Sequence, residues 1–344
     1  MMFGKNRFDA AVADFEAAVL GRDARRSRKA FDRLQETFGQ AAETELVEGA
    51  PRLAAVLPDV PPGPRAVVAV LVGGCVERGA DAARCAPGVF AGLREALAAA
   101  EEFAAKRAAG GGDFAAAFPA PDGDGPDGES VAVAGEEAAL GWWTLPDWER
   151  ACVALLNDPG VRAALPDKGE LLERVGRLEA ESGHAFPFLT HALRVLDDEP
   201  LVVLHRPSRT GYALRMSGLG DTFQLHTLLA DALVGGGHLD GRVPSPQEAA
   251  VCRDKQGEVP TVGAFNLVAP DGSWLGNEGT PQDIPVVDGV RLLVLDPPPY
   301  ERTWPAGRLL PGMRGELVLE RPLEPEEADR WFAHVDPPRT PDAG

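Results

Sequence analysis

The stretch 201–234 holds the densest mixture of side chains that could take part in chemistry, and one further histidine follows it after three glycines. A histidine with an aspartate beside it can serve as a general base with its orienting partner, while an arginine can hold a carboxylate or a phosphate. If the protein is an enzyme, we therefore expect its catalytic residues among His205, Asp221, His226, Asp231 and His238.

Other polar side chains could bind a ligand without reacting with it. Some lie in the same stretch, and two acidic residues lie in a later turn-rich segment, DGSWLGNEGTPQD, where a rigid sheet would position a loop. A structural interpretation also stays open: His226 is hydrogen-bonded inside the fold, and the remaining side chains are solvated or belong to turns. The candidate ligand-binding residues are Arg206, Tyr212, Arg215, Gln224, Glu278 and Asp283.

Sequence motifs of several enzyme classes are missing. The chain has no GxxxxGK[ST] phosphate-binding loop, no HExxH zinc motif and no GxSxG nucleophile turn. The four cysteines are scattered without a CxxC pair, which indicates reduced thiols in a cytoplasm. We therefore expect no metal and no cofactor.

The pattern around residue 205 predicts the elements that position these side chains. LVVLHR and YALRMS are typical of an antiparallel hairpin, and Asp221 follows at the position that caps a helix with an apolar face. From Thr261 onward, short apolar runs separated by turns predict further strands, and residues 325–335 predict a closing helix.

We predict an α+β protein. Residues 1–109 form a helical bundle or a helical-repeat-like domain, and the acidic Gly/Pro-rich segment 110–130 is a flexible linker. A second domain spans 131–335: its helices occupy 131–198, and its sheet-rich part, a small and mainly antiparallel sheet, occupies 199–335. Residues 336–344 form a loose tail.

Charge is distributed unevenly along the chain. Residues 1–109 carry 15 basic and 15 acidic side chains, whereas the remaining residues carry 19 basic and 38 acidic ones, which accounts for the net charge of −19. An acidic surface repels nucleic acid and anionic lipid, so we expect neither as a partner and instead expect a basic protein. The basic cluster Arg22, Arg25, Arg26, Arg28 and Lys29 either binds an anion or is a solvated helix face.

Two functional hypotheses follow. The first, favoured by the missing catalytic motifs, is a non-catalytic interaction protein of a bacterial cytoplasm with a regulatory, scaffold or immunity-like role. Its docking residues would be Tyr300 and Trp304 in the segment DPPPYERTWPAG, which could instead be a packed connector. The second hypothesis is a hydrolase or transferase that uses the His/Asp/Arg set of residues 205–238 in one pocket.

Overall fold

The structure is a computed structural model of the whole chain. It describes residues 7–110, 118–121, 125–276 and 278–337. These residues form helices followed by a mixed region of helices and strands, so the predicted α+β class is confirmed. The chain divides into two compact units, Met1–Leu193 and Arg194–Gly344.

The first unit is built from helices. Along α1, Phe8, Val12, Phe15 and Val19 lie on one buried face, as their helical spacing predicts. The long helix α5 contacts helices that precede it and helices that follow it in the chain. The helices are α1 Arg7–Leu20, α2 Ala24–Phe38, α3 Glu43–Val56, α4 Pro62–Glu77, α5 Ala82–Gly110, α6 Gly128–Ala134, α7 Glu136–Trp143, α8 Leu145–Leu156, α9 Pro159–Ala164, α10 Lys168–Ser182 and α11 Pro187–Arg194.

The division between the units lies later in the chain than the predicted linker. Helices α6 to α11 were expected to join the sheet, but they belong to the first unit, apart from Arg194 at the end of α11, because α7 and α8 pack against α4 and α5. Helix α5 extends to Gly110, and α6 begins at Gly128, inside the predicted linker 110–130. The linker prediction for 111–117 and 122–124, and the tail prediction for 338–344, fall on residues outside those described.

The second unit contains a mixed sheet with the strand order β4-β6-β1-β2-β8, and β5 pairs with β6. Strands β1 and β6 are parallel, and the other pairs are antiparallel, which agrees with the predicted mainly antiparallel sheet. Strands β3 and β7 form a separate antiparallel pair. The strands are β1 Glu199–His205, β2 Thr210–Ser217, β3 Val259–Val262, β4 Asn266–Val268, β5 Val286–Val287, β6 Val290–Asp296, β7 Thr303–Ala306 and β8 Glu316–Pro322.

Both faces of the main sheet are covered. Leu201 and Val203 belong to a core with helix α12 (Thr222–Ala230) and helix α13 (Pro246–Arg253). Val202 and Leu204 point to the opposite face and pack with helix α14 (Pro325–Phe332). A strand buried on both faces is continuously apolar, which explains the run Leu-Val-Val-Leu in β1.

Candidate functional site

The hairpin between β1 and β2 places several polar side chains at one end of the sheet. His205 ends β1 and lies directly opposite Thr210, the first residue of β2. Tyr212 lies two residues beyond Thr210 and therefore on the same face. Residues 206–209 form the turn, in which Arg209 adopts a left-handed backbone with φ of 53°. The register of the hairpin thus brings histidine, hydroxyl and phenol groups together.

These groups form a continuous hydrogen-bonded series, here called the hydroxyl chain. His205 Nδ1 lies 2.7 Å from Ser208 Oγ, which lies 2.7 Å from Thr210 Oγ1. Thr210 Oγ1 lies 3.2 Å from the Tyr212 hydroxyl, which donates to the carbonyl oxygen of His238 at 3.1 Å. The hydroxyl chain joins the predicted residues His205, Tyr212 and His238 with Ser208 and Thr210, which the sequence analysis did not select.

The direction of the hydroxyl chain depends on the proton of His205. An unprotonated Nδ1 accepts the hydrogen of Ser208. A protonated Nδ1 donates to Ser208, which then donates to Thr210, and Thr210 to Tyr212. Burial lowers the pKa of His205, and the nearby carboxylate of Asp296 opposes that shift. The neutral ring therefore prevails at pH 7, with Nδ1 either accepting from Ser208 or donating to it, according to the tautomer.

His226 has a different role from the one expected of a catalytic base. Its Nε2 accepts hydrogen bonds from the backbone N–H of Ala264 at 3.1 Å and of Phe265 at 3.0 Å, so this atom carries no proton. Its ring lies 4.8 Å from that of Trp304. Burial, together with the charge of Arg302, lowers the pKa of His226 to about 3. His226 is thus a neutral, buried acceptor that holds the segment before β4.

Asp221 and Gln224 stabilise the start of α12. The carboxylate of Asp221 accepts the backbone N–H of Gln224 at 2.8 Å, which is the helix cap predicted from the sequence. The Gln224 side chain is buried, accepts from the N–H of Gly220 at 2.9 Å and donates to the carbonyl of Cys252 at 2.7 Å. The structure uses both side chains to satisfy backbone groups.

The other polar candidates make local contacts. Asp283 accepts the backbone N–H of Thr280 at 2.7 Å and lies 3.2 Å from Arg194, while Glu278 is exposed. A partly exposed ion pair such as that of Asp283 and Arg194 contributes about 0–1 kcal/mol to the stability of the fold. The ion pairs of the remaining candidates join Asp231 to Arg253, Arg206 to Asp296, and Arg215 to Asp198 and Glu320.

The two expected docking residues differ in exposure. Tyr300 is 60% exposed, as a docking residue requires. The expected exposure of Trp304 is wrong: only 9% of this residue is exposed, because β7 pairs with β3 and directs alternate residues inward, where Trp304 packs on Phe223 and His226. Trp274 is 51% exposed, and the sequence analysis missed it although it lies in the turn-rich segment.

The described ranges offer neither a metal site nor a membrane-spanning helix. They contain no group of three or more His, Cys, Asp or Glu side chains arranged to hold a metal ion. Within the same ranges, every helix is too short or too polar to cross a membrane. Comparison of the chain with protein-family models, with curated proteins and with solved structures found no match.

Proposed function

We propose that this protein is a non-catalytic interaction protein of the cytoplasm whose second unit binds a basic protein. The observation that carries the proposal is the exposure of two large aromatic side chains, Trp274 and Tyr300, in the same unit. Aromatic residues that pack against a partner contribute a large share of the binding free energy at protein interfaces. The four cysteines are free thiols, which suits a reducing compartment.

Trp274 is bridged to the end of the short strand β4, and Tyr300 is linked to its start through Arg302; we call this pair the aromatic edge. Trp274 lies opposite Val268 in an antiparallel bridge at the end of β4. The ring of Tyr300 lies 6.0 Å from the guanidinium carbon of Arg302, which contacts Asn266 Oδ1 at 3.3 Å at the start of β4. Trp274 is bridged directly to β4 and Tyr300 is connected to it through Arg302, and this connection supports a shared surface.

The charge near the aromatic edge favours a basic partner. Asp271, Glu278 and Glu301 are exposed and lie within four residues of Trp274 or Tyr300 in the chain. Residues 194–344 contain 14 basic and 23 acidic side chains, a net charge of −9. Opposite charge on a partner would steer its approach and fix its orientation, while the aromatic side chains would supply most of the affinity.

The proposal is tested with a display library of random short peptides selected on the immobilised protein. We expect the selected peptides to be rich in Lys and Arg and to contain an apolar residue. Replacing both Trp274 and Tyr300 with serine should weaken their binding at least tenfold, because the variant lacks both anchors. The dissociation constants are measured by calorimetry, and higher salt concentration should also weaken binding.

Val318→Ser is the matched control for the double variant. Val318 is 46% exposed on β8, at the opposite end of the strand order from β4, so its replacement should leave peptide binding unchanged. Selection of acidic peptides, or equal loss of binding in Val318→Ser and in the double variant, would contradict the proposal.

One observation favours a second candidate function, that of a hydrolase or transferase. Ser208 is exposed, and its Oγ lies 2.7 Å from His205 Nδ1, a distance at which a neutral imidazole can accept the serine proton. Ser208 Oγ would attack the carbonyl of an ester, forming the Oγ–C bond as the proton moves to His205. The alcohol would then leave with that proton, and water would hydrolyse the acyl-serine to the acid.

Hydrolysis of p-nitrophenyl acetate distinguishes this second function. If Ser208 is the nucleophile, Ser208→Ala should slow hydrolysis on the order of a hundredfold, and His205→Gln should do the same because it removes the base. Ser273→Ala is the control, since the hydroxyl of Ser273 donates to Asp271 within the same turn at 2.6 Å. Equal rates for the wild type and Ser208→Ala would exclude Ser208 as the nucleophile and thus this mechanism.

A further inference from the structure

A group of basic side chains lies at the corner where α1 ends and α2 begins. Residues 20–29 read LGRDARRSRK and carry five basic side chains and one acidic one, Asp23. The carboxylate of Asp23 accepts the backbone N–H of Arg26 at 2.9 Å and caps α2, while the guanidinium of Arg26 pairs with Asp14 of α1 at 3.4 Å. The remaining exposed residues, here called the basic corner, are Leu20, Arg22, Arg25, Arg28 and Lys29.

The four cations of the basic corner make no ion pair with another described residue. Arg28 and Lys29 follow Arg25 after three and four residues, which places all three within one turn of each other on the exposed surface of α2. Asp32 follows one turn after Arg28 and forms no ion pair with it. The positive charge of the corner is therefore not neutralised by an ion pair within the described ranges.

Two of these arginines lie where an arginine lowers the stability of the fold. Arg22 has a φ of 54°, in the left-handed region that glycine adopts more easily at the end of a helix. Arg25 is the second residue of α2, near the positive end of the helix dipole, where a positive side chain is unfavourable. Stabilisation of α1 or α2 therefore does not explain these side chains, whereas a role in binding does.

An apolar side chain lies beside the cations. Leu20 is 60% exposed at the end of α1, two residues before Arg22. It is the one large apolar residue of 20–29, whereas a helix that lies on a membrane needs a whole apolar face. The same ten residues contain no aromatic ring on which a nucleic-acid base could stack, and the net charge of −19 repels an extended polyanion. A protein segment that offers carboxylates and an apolar contact suits this surface better.

We propose that the basic corner binds an acidic α-helix of a partner protein. Glutamates one turn apart on such a helix repeat at the spacing of the cations of α2, so side-by-side packing would bring each carboxylate to a cation. Arginine suits this role because its guanidinium binds a carboxylate through two parallel hydrogen bonds. Leu20 would contact an apolar residue of the partner helix. This proposal concerns the first unit and does not depend on the aromatic edge of the second.

The test uses the full chain and a fluorescent helical peptide with four glutamates on one face and a leucine at one end. A lactam bridge holds the peptide helical, because exposed ion pairs contribute little each and do not offset the entropy of ordering a flexible chain. We expect binding in anisotropy titrations, and higher salt concentration should weaken it. The same peptide with glutamine in place of glutamate should bind at least about tenfold more weakly. No binding of the glutamate peptide, or equal binding of both peptides, would overturn the proposal.

Charge reversal locates the binding site. Arg25→Glu should weaken binding of the glutamate peptide at least about tenfold, and it should raise the melting temperature, because glutamate suits the start of a helix. Arg84→Glu is the matched control: Arg84 is exposed in the first turn of α5, so the variant reverses the same charge outside the basic corner and should leave binding unchanged. Equal loss of binding in the two variants would refute the assignment to the corner. Unchanged binding in Arg25→Glu would refute it as well.

Two other anions are compared with the peptide. Vesicles of phosphatidylglycerol and a single-stranded oligonucleotide are added to the complex at the same concentration of negative charge as the glutamate peptide. Neither should displace the peptide, because the corner has too little apolar surface for the membrane and no ring for the bases. Displacement by either one would identify a membrane or a nucleic acid as the ligand and overturn the proposal.

Discussion

Replacing Gly92 with alanine is expected to destabilise the first unit by about 1–3 kcal/mol, although alanine normally stabilises the interior of a helix. Gly92 lies within α5, and a Cβ atom there would be 2.1 Å from Cη2 of Trp148 and 2.7 Å from its Cζ3. Trp148 is 2% exposed and packed in the core, so its indole cannot move aside without displacing neighbours. Steric overlap should outweigh the gain in helix propensity, as measured by urea denaturation.

Gly176→Ala provides the matched control in the same unit. Gly176 lies within α10, and a Cβ atom there would meet nothing within 4 Å, so alanine should stabilise the protein by about 0.5–1 kcal/mol. Trp148→Phe replaces the two-ring indole that faces Gly92 with a single ring. In a double-mutant cycle it should therefore reduce the loss in free energy of unfolding caused by Gly92→Ala. If Gly92→Ala and Gly176→Ala changed the free energy of unfolding in the same direction, the role assigned to Trp148 would be refuted.

Replacing Glu248 with glutamine is expected to destabilise the second unit by about 3 kcal/mol at neutral pH. Glu248 is 2% exposed, and its carboxylate accepts the backbone N–H of Ser245 at 2.6 Å and pairs with Arg242 at 2.8 Å. Burial by itself raises the pKa of Glu248, but the hydrogen bonds from Thr261, Ser245 and Arg242 outweigh it and lower the pKa to about 2. The amide cannot replace all of these charge-assisted contacts.

The difference in the free energy of unfolding between the wild type and Glu248→Gln should decrease as the pH falls. The ordinary pKa is 4.5 and the folded pKa is about 2, so the folded state favours the ionised form. The stabilisation is therefore fully present above pH 4.5 and is lost as the pH falls through about 2. The free energies of unfolding of the wild type and Glu248→Gln should converge at low pH.

Glu326→Gln is the control for this pH dependence, since Glu326 is exposed on α14 and its replacement should change stability by less than about 0.5 kcal/mol. Denaturation at a series of pH values gives both comparisons. If the difference in free energy of unfolding between the wild type and Glu248→Gln stayed constant down to pH 2, the carboxylate charge would not stabilise the fold.

The sequence by itself determined the elements that depend on neighbouring residues. The hairpin of β1 and β2, the cap at Asp221 and the buried face of α1 agree with the structure. Capping and the periodicity of apolar residues act over one turn of helix or one pair of strands, so both can be read locally. The same hairpin register places Thr210 opposite His205, a pairing the sequence contained although Thr210 was not selected.

Only the tertiary structure decided contacts between distant residues. His226 is a buried acceptor because the segment 264–265 brings two N–H groups to its ring, and Trp304 is buried because β3 pairs with β7. Helices α7 and α8 join the first unit because α5 offers a surface on which Trp142 and Trp148 can be buried. The free energy of each such contact depends on which surfaces meet, and a local pattern of residue types does not contain that information.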